Sequence, residues 1–371
     1  MVIGIPREIK NREYRVGLAP ASVRELAARG HEVLVETGAG YAIGFDDELY
    51  QSAGAKIVHK PAEAFGAQLV VKVKEPQPSE YKYLRRGQIL FTYLHLAPDT
   101  LQTQALIDSG VTAIAYETVT DSYGGLPLLA PMSEVAGRLA VQAGAHALEL
   151  SSGGRGMLLG GVPGVGPGKV TIIGGGVVGE NAARVASALG AEVVILDKSV
   201  HRLNFLDEHF TGRIKTIFST AEAIEAEVLC SDLVIGAVLV PGANAPKLVS
   251  EETVKKMRRG SVLVDVAIDQ GGCFATSHPT THEEPTYILH GVVHYCVANM
   301  PGAVARTATQ ALNNVTLPFV LALAAQGEKA LLKDPHFRAG LNVCRGKITH
   351  PAVAAAQSLP FVKPEEALSS S

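Results

Sequence analysis

Three glycines near the middle of the chain, Gly174, Gly176 and Gly179, have the spacing G-x-G-x-x-G. In this pattern the first glycine permits a tight turn, the second lets the backbone approach a pyrophosphate, and the third permits close packing of a helix on a strand. The N–H groups and the positive dipole end of the following helix would then face the phosphates. The spacing therefore predicts a site for a dinucleotide.

The residues around the glycines fit this prediction. A buried strand (VTIIG), a helix that ends at Gly190 and a second strand that ends at Asp197 follow one another. A carboxylate at Asp197 can accept hydrogen bonds from the ribose hydroxyls and repels a 2′-phosphate, which favours NAD over NADP. Arg202 weakens this preference, because it could neutralise a phosphate. A strand–helix–strand unit without a ligand is the alternative.

The residues before the glycines alternate between predicted strands and helices. The predicted strands are VIGIP, HEVLVET, AKIVH, AQLVVKVK, QILFTYLH and VTAIAYE. The predicted helices include APASVRELAARG, DDELYQSAG and DTLQTQALIDSG. This alternation predicts a parallel sheet with helices on its faces. Because this part lacks the dinucleotide glycine pattern, we interpret it as a substrate domain.

The second half has enough strands for a complete dinucleotide-binding domain. Its further strands are RIKTIF, DLVIGAV, SVLVDVAI and VVHYCVA, which predict the order 3-2-1-4-5-6. Long helices are predicted to begin near Pro131 and Ala303, and the tail, including DPHFRAGLNVCRG and HPAVAAAQSL, is predicted to be helical. We predict an α/β protein of two Rossmann-like, doubly wound domains, with an NAD-binding domain (131–302) inserted into a discontinuous substrate domain (1–130 and 303–371).

Composition argues against several classes of protein. The 371 residues, 47% hydrophobic and 19% charged with a net charge of −3, are typical of a soluble globular protein and lack the basic excess of a nucleic-acid-binding surface. The N terminus becomes charged too early for a signal peptide, and no apolar run predicts a membrane span; VTLPFVLALAAQ is interpreted as a buried helix. Four scattered cysteines favour reduced thiols in a cytoplasmic protein and argue against a metal site.

Polar residues follow three predicted strands of the first domain, at the strand ends where open α/β sheets bind ligands. Arg15 could hold a carboxylate with its guanidinium fork, although a solvated basic loop is the alternative. Lys74 could stabilise charge on a carbonyl oxygen, unless it lies at an exposed strand end. His95 could transfer protons near neutral pH, although a lone histidine is more often structural.

The second domain has polar residues at comparable positions. Asp269 follows a buried strand and could order water, bind an ammonium group or orient His95, unless it only forms a turn. Asn299 could hydrogen-bond the nicotinamide ribose or carboxamide, and Ser133 and Ser219 lie near the expected path of the cofactor. Together these residues predict a site in which a small keto acid or its amine lies opposite NAD.

Several blocks resemble the L-alanine dehydrogenase family, in the same order and from residue 1 to about residue 360: GIPREIKNREYRVGLAP, ETGAG, VVKVKEP, YLHLA, PMSEVAGRLA, IIGGGVVG, DVAIDQGG and ANMPGAVARTAT. The resemblance implies that a homohexamer converts L-alanine, NAD⁺ and water to pyruvate, ammonia and NADH. It implies that Arg15 and Lys74 bind the substrate, that His95 is the acid–base group and that Asp269 is a second essential group. The cofactor residues it implies are Ser133, Gly174, Gly176, Gly179, Asp197, Arg202, Ser219, Leu239 and Asn299.

Related families share similar blocks. The NAD-binding part of proton-translocating transhydrogenase should be accompanied by transmembrane segments and an NADP domain, and saccharopine-type lysine dehydrogenases need a site for a longer substrate. Another amino-acid or hydroxy-acid dehydrogenase, or a regulatory module that only binds NAD, are further alternatives. The polar residues at the strand ends of the first domain favour catalysis over mere binding.

Overall fold

The computed structural model describes residues 1–238 and 245–369 and divides the chain into two compact units. The first unit consists of Met1–Pro131 and Val304–Ser371, and the second of Met132–Ala303. Each unit is built around its own mainly parallel sheet. The predicted fold class, two Rossmann-like domains with one inserted in the other, is confirmed.

The first part of the first unit alternates strands and helices as predicted. Strands β1–β6 span Val2–Ile5, Glu32–Glu36, Lys56–Val58, Leu69–Val71, Ile89–Thr92 and Thr112–Ala115. Helices α1–α4 span Pro20–Ala27, Asp47–Ser52, Pro61–Phe65 and Thr100–Ser109. The six strands pair in parallel in the order β3-β2-β1-β4-β5-β6. The carboxyl ends of these strands therefore share one edge of the sheet.

Local sequence signals set the ends of several helices. Asp46 and Asp99 precede α2 and α4, and their carboxylates accept hydrogen bonds from the amides of Leu49 and Gln102. Gly110 ends α4 with a φ of 67°, a left-handed conformation that other residues adopt at a cost. These signals explain why the helix ends could be predicted from short stretches of sequence.

The second unit contains the strand order 3-2-1-4-5-6 that the sequence predicts. Helix α5 (Ala130–Ala147) leads into it, and α6–α9 span Val177–Ala188, Val200–Phe210, Ala221–Leu229 and Glu251–Lys256. Strands β7–β13 span Lys169–Ile173, Glu192–Asp197, Lys215–Phe218, Leu233–Gly236, Val262–Asp265, Thr286–Leu289 and Val292–Tyr295. The parallel order is β9-β8-β7-β10-β11-β13, and β12, which was not predicted, pairs antiparallel with β13.

The tail of the first unit is only partly helical. Helices α10–α14 span Ala305–Gln326, Lys329–Lys333, Pro335–Arg338, Pro351–Gln357 and Pro364–Ser369, but Leu341–Cys344 and Lys347–Ile348 form strands β14 and β15. The prediction that DPHFRAGLNVCRG is helical was therefore wrong for its second half. Every residue of β14 is buried, and pairing with β6 and β15 supplies the hydrogen-bond partners that a buried backbone needs.

Helix α10 belongs to the core of the first unit. Among the described residues, the segment Met300–Gln326 is the one helix whose length and composition alone would allow it to cross a membrane. However, Leu312, Val320 and Leu323 of α10 are fully buried, and the helix contacts α1 and β4. We therefore interpret it as the predicted buried helix, one side of which packs on other parts of its own unit.

Candidate active site

The glycine turn, which we define as Gly174–Gly179, connects β7 to α6. Gly174 has a φ of 104°, and a β-carbon at Gly179 would lie 1.9 Å from its carbonyl oxygen, so the helix packs directly on the turn. A β-carbon at Gly176 would meet nothing within 4 Å. No side chain of the described residues caps α6, so the N–H groups of its first turn remain available to an anion. This combination of close packing and open space fits a cradle for a pyrophosphate.

Asp197, at the end of β8, is tied to the glycine turn. Its Oδ2 accepts a hydrogen bond from Gly175 N at 2.7 Å, and its Oδ1 accepts one from Ser199 N at 2.8 Å. The residue is partly exposed, and each carboxylate oxygen can accept a further hydrogen bond. Asp197 can therefore support the turn and still bind a ribose hydroxyl.

Arg202 of α7 is held by contacts within the second unit. Its Nε donates to the carbonyl oxygen of Gly175, and its Nη2 lies 2.5 Å from Glu180 Oε2. The guanidinium carbon also lies 4.7 Å from the centre of the Phe205 ring. Glu180, which was not predicted from the sequence, compensates the positive charge that Arg202 would offer to a 2′-phosphate.

The other predicted cofactor residues lie in three places. Ser133 is partly buried in the first turn of α5, and Ser219 follows β9, where its amide donates to Asp197 O at 2.9 Å. Asn299 follows β13 with a φ of 57°, and its backbone N–H donates to Asp269 Oδ2 at 3.4 Å. Asp269 itself is exposed. Leu239 lies outside the described residues. The structure thus places Ser219 beside Asp197, and Asn299 beside Asp269.

In the first unit, Arg15 is buried, with only 2% of its surface exposed, so it does not lie in a solvated loop. Its Nε donates to Glu13 Oε1 at 2.8 Å and its Nη2 to Glu13 Oε2 at 2.6 Å. Burial alone would raise the pKa of Glu13, but the hydrogen bonds and charge of Arg15 lower it below its usual value. Glu13 therefore stays ionised and fixes one edge of the guanidinium.

Helix α10 fixes the loop that carries Arg15. Thr309 Oγ1 accepts a hydrogen bond from Val16 N at 3.3 Å, and Asn313 Oδ1 accepts one from Ala19 N at 2.6 Å. Both α10 side chains are buried, so these bonds are shielded from water. The position of Arg15 thus depends on residues that follow the whole second unit in the sequence.

Lys74 follows β4 and is partly exposed. Burial and the positive charges of Arg15 and Lys10 lower the pKa of Lys74 below its usual value, so these three cations lie in one region. Lys10 forms an ion pair with Glu75. A lysine with a lowered pKa beside an arginine is a suitable partner for an oxygen that gains negative charge.

Lys72 is fully buried between two carboxylates, just before Lys74 in the sequence. Its Nζ lies 3.1 Å from Glu8 Oε2 and 3.1 Å from Glu80 Oε1. Burial alone would lower the pKa of Lys72, but Glu8 and Glu80 raise it above its usual value, so the ammonium stays charged. Glu8 Oε1 also accepts from the amide of Lys74 at 3.3 Å, which fixes the backbone at this strand end.

These residues form what we call the charged cluster: Glu8, Glu13, Arg15, Lys72, Lys74 and Glu80. Arg15 and Lys74 were predicted from the sequence as ligand-binding cations, whereas the three glutamates of the cluster were not predicted. Glu13 lies two residues before Arg15, so a local signal existed. Glu8 and Lys72 are 64 residues apart, and sequence spacing gave no signal for that pair.

His95 lies beyond β5, with 53% of its side chain exposed. Its φ is 50°, and Glu117 Oε1 holds this unusual backbone by accepting from His95 N at 2.6 Å. The imidazole stacks on Tyr93, with ring centres 5.9 Å apart and planes 6° apart. Burial raises the pKa of Tyr93, and the positive charge of Arg15 opposes this effect. The first unit thus brings Arg15, Lys74 and His95 to one end of its sheet.

Both units match models of known protein domains. Residues 4–136 match the N-terminal domain of alanine dehydrogenase/PNT, and residues 140–351 match its C-terminal domain. The chain is 62% identical to alanine dehydrogenase of Halomonas elongata over 365 residues, which cover 98% of each chain. It is 57% identical to alanine dehydrogenase of Bacillus subtilis over 370 residues, which cover 99% of this chain and 98% of that protein.

Solved structures give the same relationship. A structure of L-alanine dehydrogenase has a TM-score of 0.94 and 56% sequence identity, and the match covers 96% of this chain and 99% of that one. A transhydrogenase from Sinorhizobium meliloti has a TM-score of 0.83 but only 24% identity, over 94% of this chain and 100% of that one. The second match therefore shows a shared fold only.

Proposed function

The chain belongs to the alanine dehydrogenase/PNT family and is an oxidoreductase, and from that premise we propose that it catalyses the reversible, NAD-dependent oxidative deamination of L-alanine to pyruvate and ammonia. The observation that carries the proposal is the meeting of Arg15, Lys74 and His95 at one sheet end of a unit that lacks the glycine turn. In this proposal, residues 1–130 and 303–371 form the substrate domain and residues 131–302 the NAD-binding domain.

The second unit would bind NAD. The glycine turn and the first turn of α6 would hold the pyrophosphate, and Asp197 would accept the ribose hydroxyls. Because Glu180 compensates Arg202, the unit offers no uncompensated arginine there for a 2′-phosphate among the described residues, which supports NAD over NADP. When bound, NAD⁺ would accept a hydride from the α-carbon of alanine. Further residues that would line its path are Ser133, Ser219, Leu239 and Asn299.

The first unit would bind the substrate. Arg15 would bind the carboxylate of alanine or pyruvate, and Glu13 would keep the guanidinium in one orientation. Lys74 would stabilise negative charge on the oxygen of pyruvate and of the carbinolamine that precedes it. Arg15 and Lys74 would thus bind two different groups of the same substrate, the carboxylate and the oxygen on the α-carbon.

His95 would move the protons. The amine of alanine must be neutral before its α-carbon can be oxidised, and the exposed imidazole would accept the proton that the ammonium group loses. The imidazole would release that proton to solvent before the next step. Water must then add to the carbon of the imine, and His95 would accept a proton of that water and return it to the amino nitrogen. Ammonia would then depart while the hydroxyl group loses its proton and becomes the carbonyl group of pyruvate. Asp269 would be the second essential polar group, near the amine.

The quaternary structure and location are further proposals. We infer a homohexamer from the family resemblance, and light scattering on the purified protein tests it. A cytoplasmic location is supported by all four cysteines being free thiols in the structure.

An absorbance assay of NADH tests the proposed reaction. The protein is mixed with NAD⁺ and, in separate reactions, L-alanine, L-serine, L-lysine and L-lactate; NADP⁺ replaces NAD⁺ in a parallel series. We expect strong NADH formation with L-alanine, and NADH consumption with pyruvate and ammonium. Faster turnover of lysine or lactate would identify another dehydrogenase, and NADH binding without turnover of any substrate would identify a regulatory module.

A further inference from the structure

We propose that Asp265 is a positioning residue that fixes the loop carrying Asp269 by collecting hydrogen bonds from both sides of that loop. This inference rests on the proposed function, because Asp265 would affect the reaction only through Asp269. Asp265 is the last residue of β11, and none of its surface is exposed. It is therefore placed to shape the loop rather than to touch a ligand.

The hydrogen bonds of Asp265 come from both flanks of Asp269. Its carboxylate accepts from five groups within hydrogen-bond distance: Ala267 N (3.1 Å), Cys273 N (2.9 Å), Cys273 Sγ (3.6 Å), Phe274 N (3.3 Å) and Ser277 Oγ (2.6 Å). The first donor precedes Asp269 and the other four follow it. One carboxylate thus closes the loop around the short 3₁₀ helix Val266–Gln270, which presents Asp269.

The carboxylate and the loop stabilise each other. All five donors are neutral, so the loop itself supplies the hydrogen bonds that a buried carboxylate requires. Burial raises the pKa of Asp265, and the hydrogen bonds from Ser277, Phe274 and Cys273 oppose that effect. If the loop moved away, the carboxylate would remain buried without partners, which is unfavourable. This coupling restricts the loop to one arrangement.

Close contacts also restrict the loop. Gly272 has a φ of 76°, and a β-carbon there would lie 2.6 Å from Asp265 Oδ2. A β-carbon at Gly236, the last residue of β10, would lie 2.2 Å from Cys273 Sγ. The backbone of the loop therefore packs directly on the strand ends. Asp269 is exposed and accepts a hydrogen bond from the backbone N–H of Asn299.

Asp265→Asn tests the anchoring directly. The amide keeps the shape of the side chain but replaces one accepting oxygen with an NH₂ group, and both oxygens of Asp265 accept from N–H groups. Whichever way the amide is turned, its NH₂ group would therefore face the backbone N–H of Ala267 or of Cys273, and two donors cannot form a hydrogen bond. We expect amide hydrogen exchange in residues 267–274 of the full-length protein to become about tenfold faster or more, with exchange in β7 and β8 unchanged. Unchanged exchange in the loop would overturn the proposal.

A double-mutant cycle tests whether Asp265 acts through Asp269. We expect Asp265→Asn to lower kcat for L-alanine about tenfold or more, and to add no further loss in the Asp269→Asn background. Losses that multiply would show an independent structural role and overturn the proposal. If Asp269→Asn alone kept full turnover, the role of Asp269 in the proposed function would fail, while the exchange experiment would still decide the anchoring.

Two further variants keep the test interpretable. Ser277→Ala removes one donor and keeps the carboxylate, so it should fold and show a smaller increase in loop exchange even if Asp265→Asn does not fold. Asp232→Asn is the matched control. Asp232, directly before β10, is also a buried aspartate of the second unit, but it forms an ion pair with Arg155 at 2.7 Å and not with the loop of Asp269. It should change Tm without changing loop exchange or kcat. Faster loop exchange in this control would contradict the specific role of Asp265.

Discussion

The charged cluster of the first unit and the glycine turn of the second are both candidate binding regions, but different interactions build them. In the charged cluster, buried cations are held by buried carboxylates, as in the bidentate pair of Arg15 and Glu13. In the glycine turn, the decisive contacts are between backbone atoms, as between Gly179 and Gly174. The ligand groups expected in the two regions are a carboxylate and a pyrophosphate, and both are anions.

This difference shows two ways to prepare a site for an anion. A cation removed from water needs a carboxylate partner, so the charged cluster contains more charges than its ligand uses. A helix N-terminus offers partial positive charge without any cationic side chain, but the ligand must approach the backbone closely. The charged cluster should therefore respond most to the loss of a charge, and the glycine turn to the addition of a methyl group.

The largest expected effect is on turnover in the first unit. His95→Ala should lower kcat by about 10²–10⁴-fold, because it removes the proposed acid–base group. Tm should change little, because the imidazole is largely exposed. Steady-state NADH formation and thermal unfolding measure the two effects, and His59→Ala, an exposed histidine of the same unit, is the control. Near-normal turnover in His95→Ala would show that His95 is not the group that transfers protons.

The next effect is on stability. Lys72→Met should lower the free energy of unfolding by about 3–5 kcal/mol, because Glu8 and Glu80 would remain buried without their common cation. Urea denaturation followed by tyrosine fluorescence measures it, since the chain has no tryptophan. Lys56→Met, at an exposed position of β3, is the control. Equal stability of the two variants would show that the buried ion pairs do not hold the cluster together.

A pair of glycine variants should separate packing from ligand binding. Gly179→Ala should lower stability by about 1–3 kcal/mol, because its β-carbon would collide with the carbonyl oxygen of Gly174. Gly176→Ala should change stability by less than about 0.5 kcal/mol, because its β-carbon enters open space, yet it should weaken NADH binding more than about tenfold. NADH fluorescence titration measures the binding. Normal binding by Gly176→Ala would show that no pyrophosphate approaches this turn.

The smallest effect concerns the pH dependence of stability. Because the pKa of Lys74 is lowered in the folded protein, its charge disfavours folding at all pH values below that lowered pKa. Lys74→Met should therefore raise Tm slightly at neutral pH while it lowers activity. As pH rises through the lowered pKa towards the usual lysine value, wild-type Lys74 loses its proton and the difference in Tm should shrink. If the difference in Tm between Lys74→Met and the wild type grew with pH, the pKa of Lys74 would not be lowered in the folded protein.

What could be predicted from the sequence followed from residues close together in the chain. The glycine spacing, the helix caps and the alternation of strands and helices are local, and they were sufficient for the strand order in the second unit. Strand β14 was missed because its four residues, of which only Asn342 is polar, suit a helix or a strand equally well. In addition, its partner β6 lies more than 200 residues earlier. Strand β12 was missed because two of its four residues are exposed at a sheet edge.

The candidate site follows the same rule. The strand-end positions of Arg15, Lys74 and His95 were predictable because carboxyl ends of parallel strands meet at one sheet edge. The sequence could not decide whether Arg15 was buried, since burial depends on Glu13 and on helix α10. The pairing of Lys72 with Glu8 depends on the register of β1 and β4. Such pairs become visible only when the sheet is assembled.

The contacts of α10 with the Arg15 loop also have a consequence for how the chain matures on the ribosome. Asn313 and Thr309 are synthesised almost 300 residues after the amides that they bind at Ala19 and Val16. At about 5–20 residues per second, the loop must wait roughly 15–60 seconds for them. The second unit is one continuous stretch of chain and is complete earlier. The nascent polypeptide can therefore form the glycine turn before the loop of Arg15 has gained its hydrogen bonds to α10.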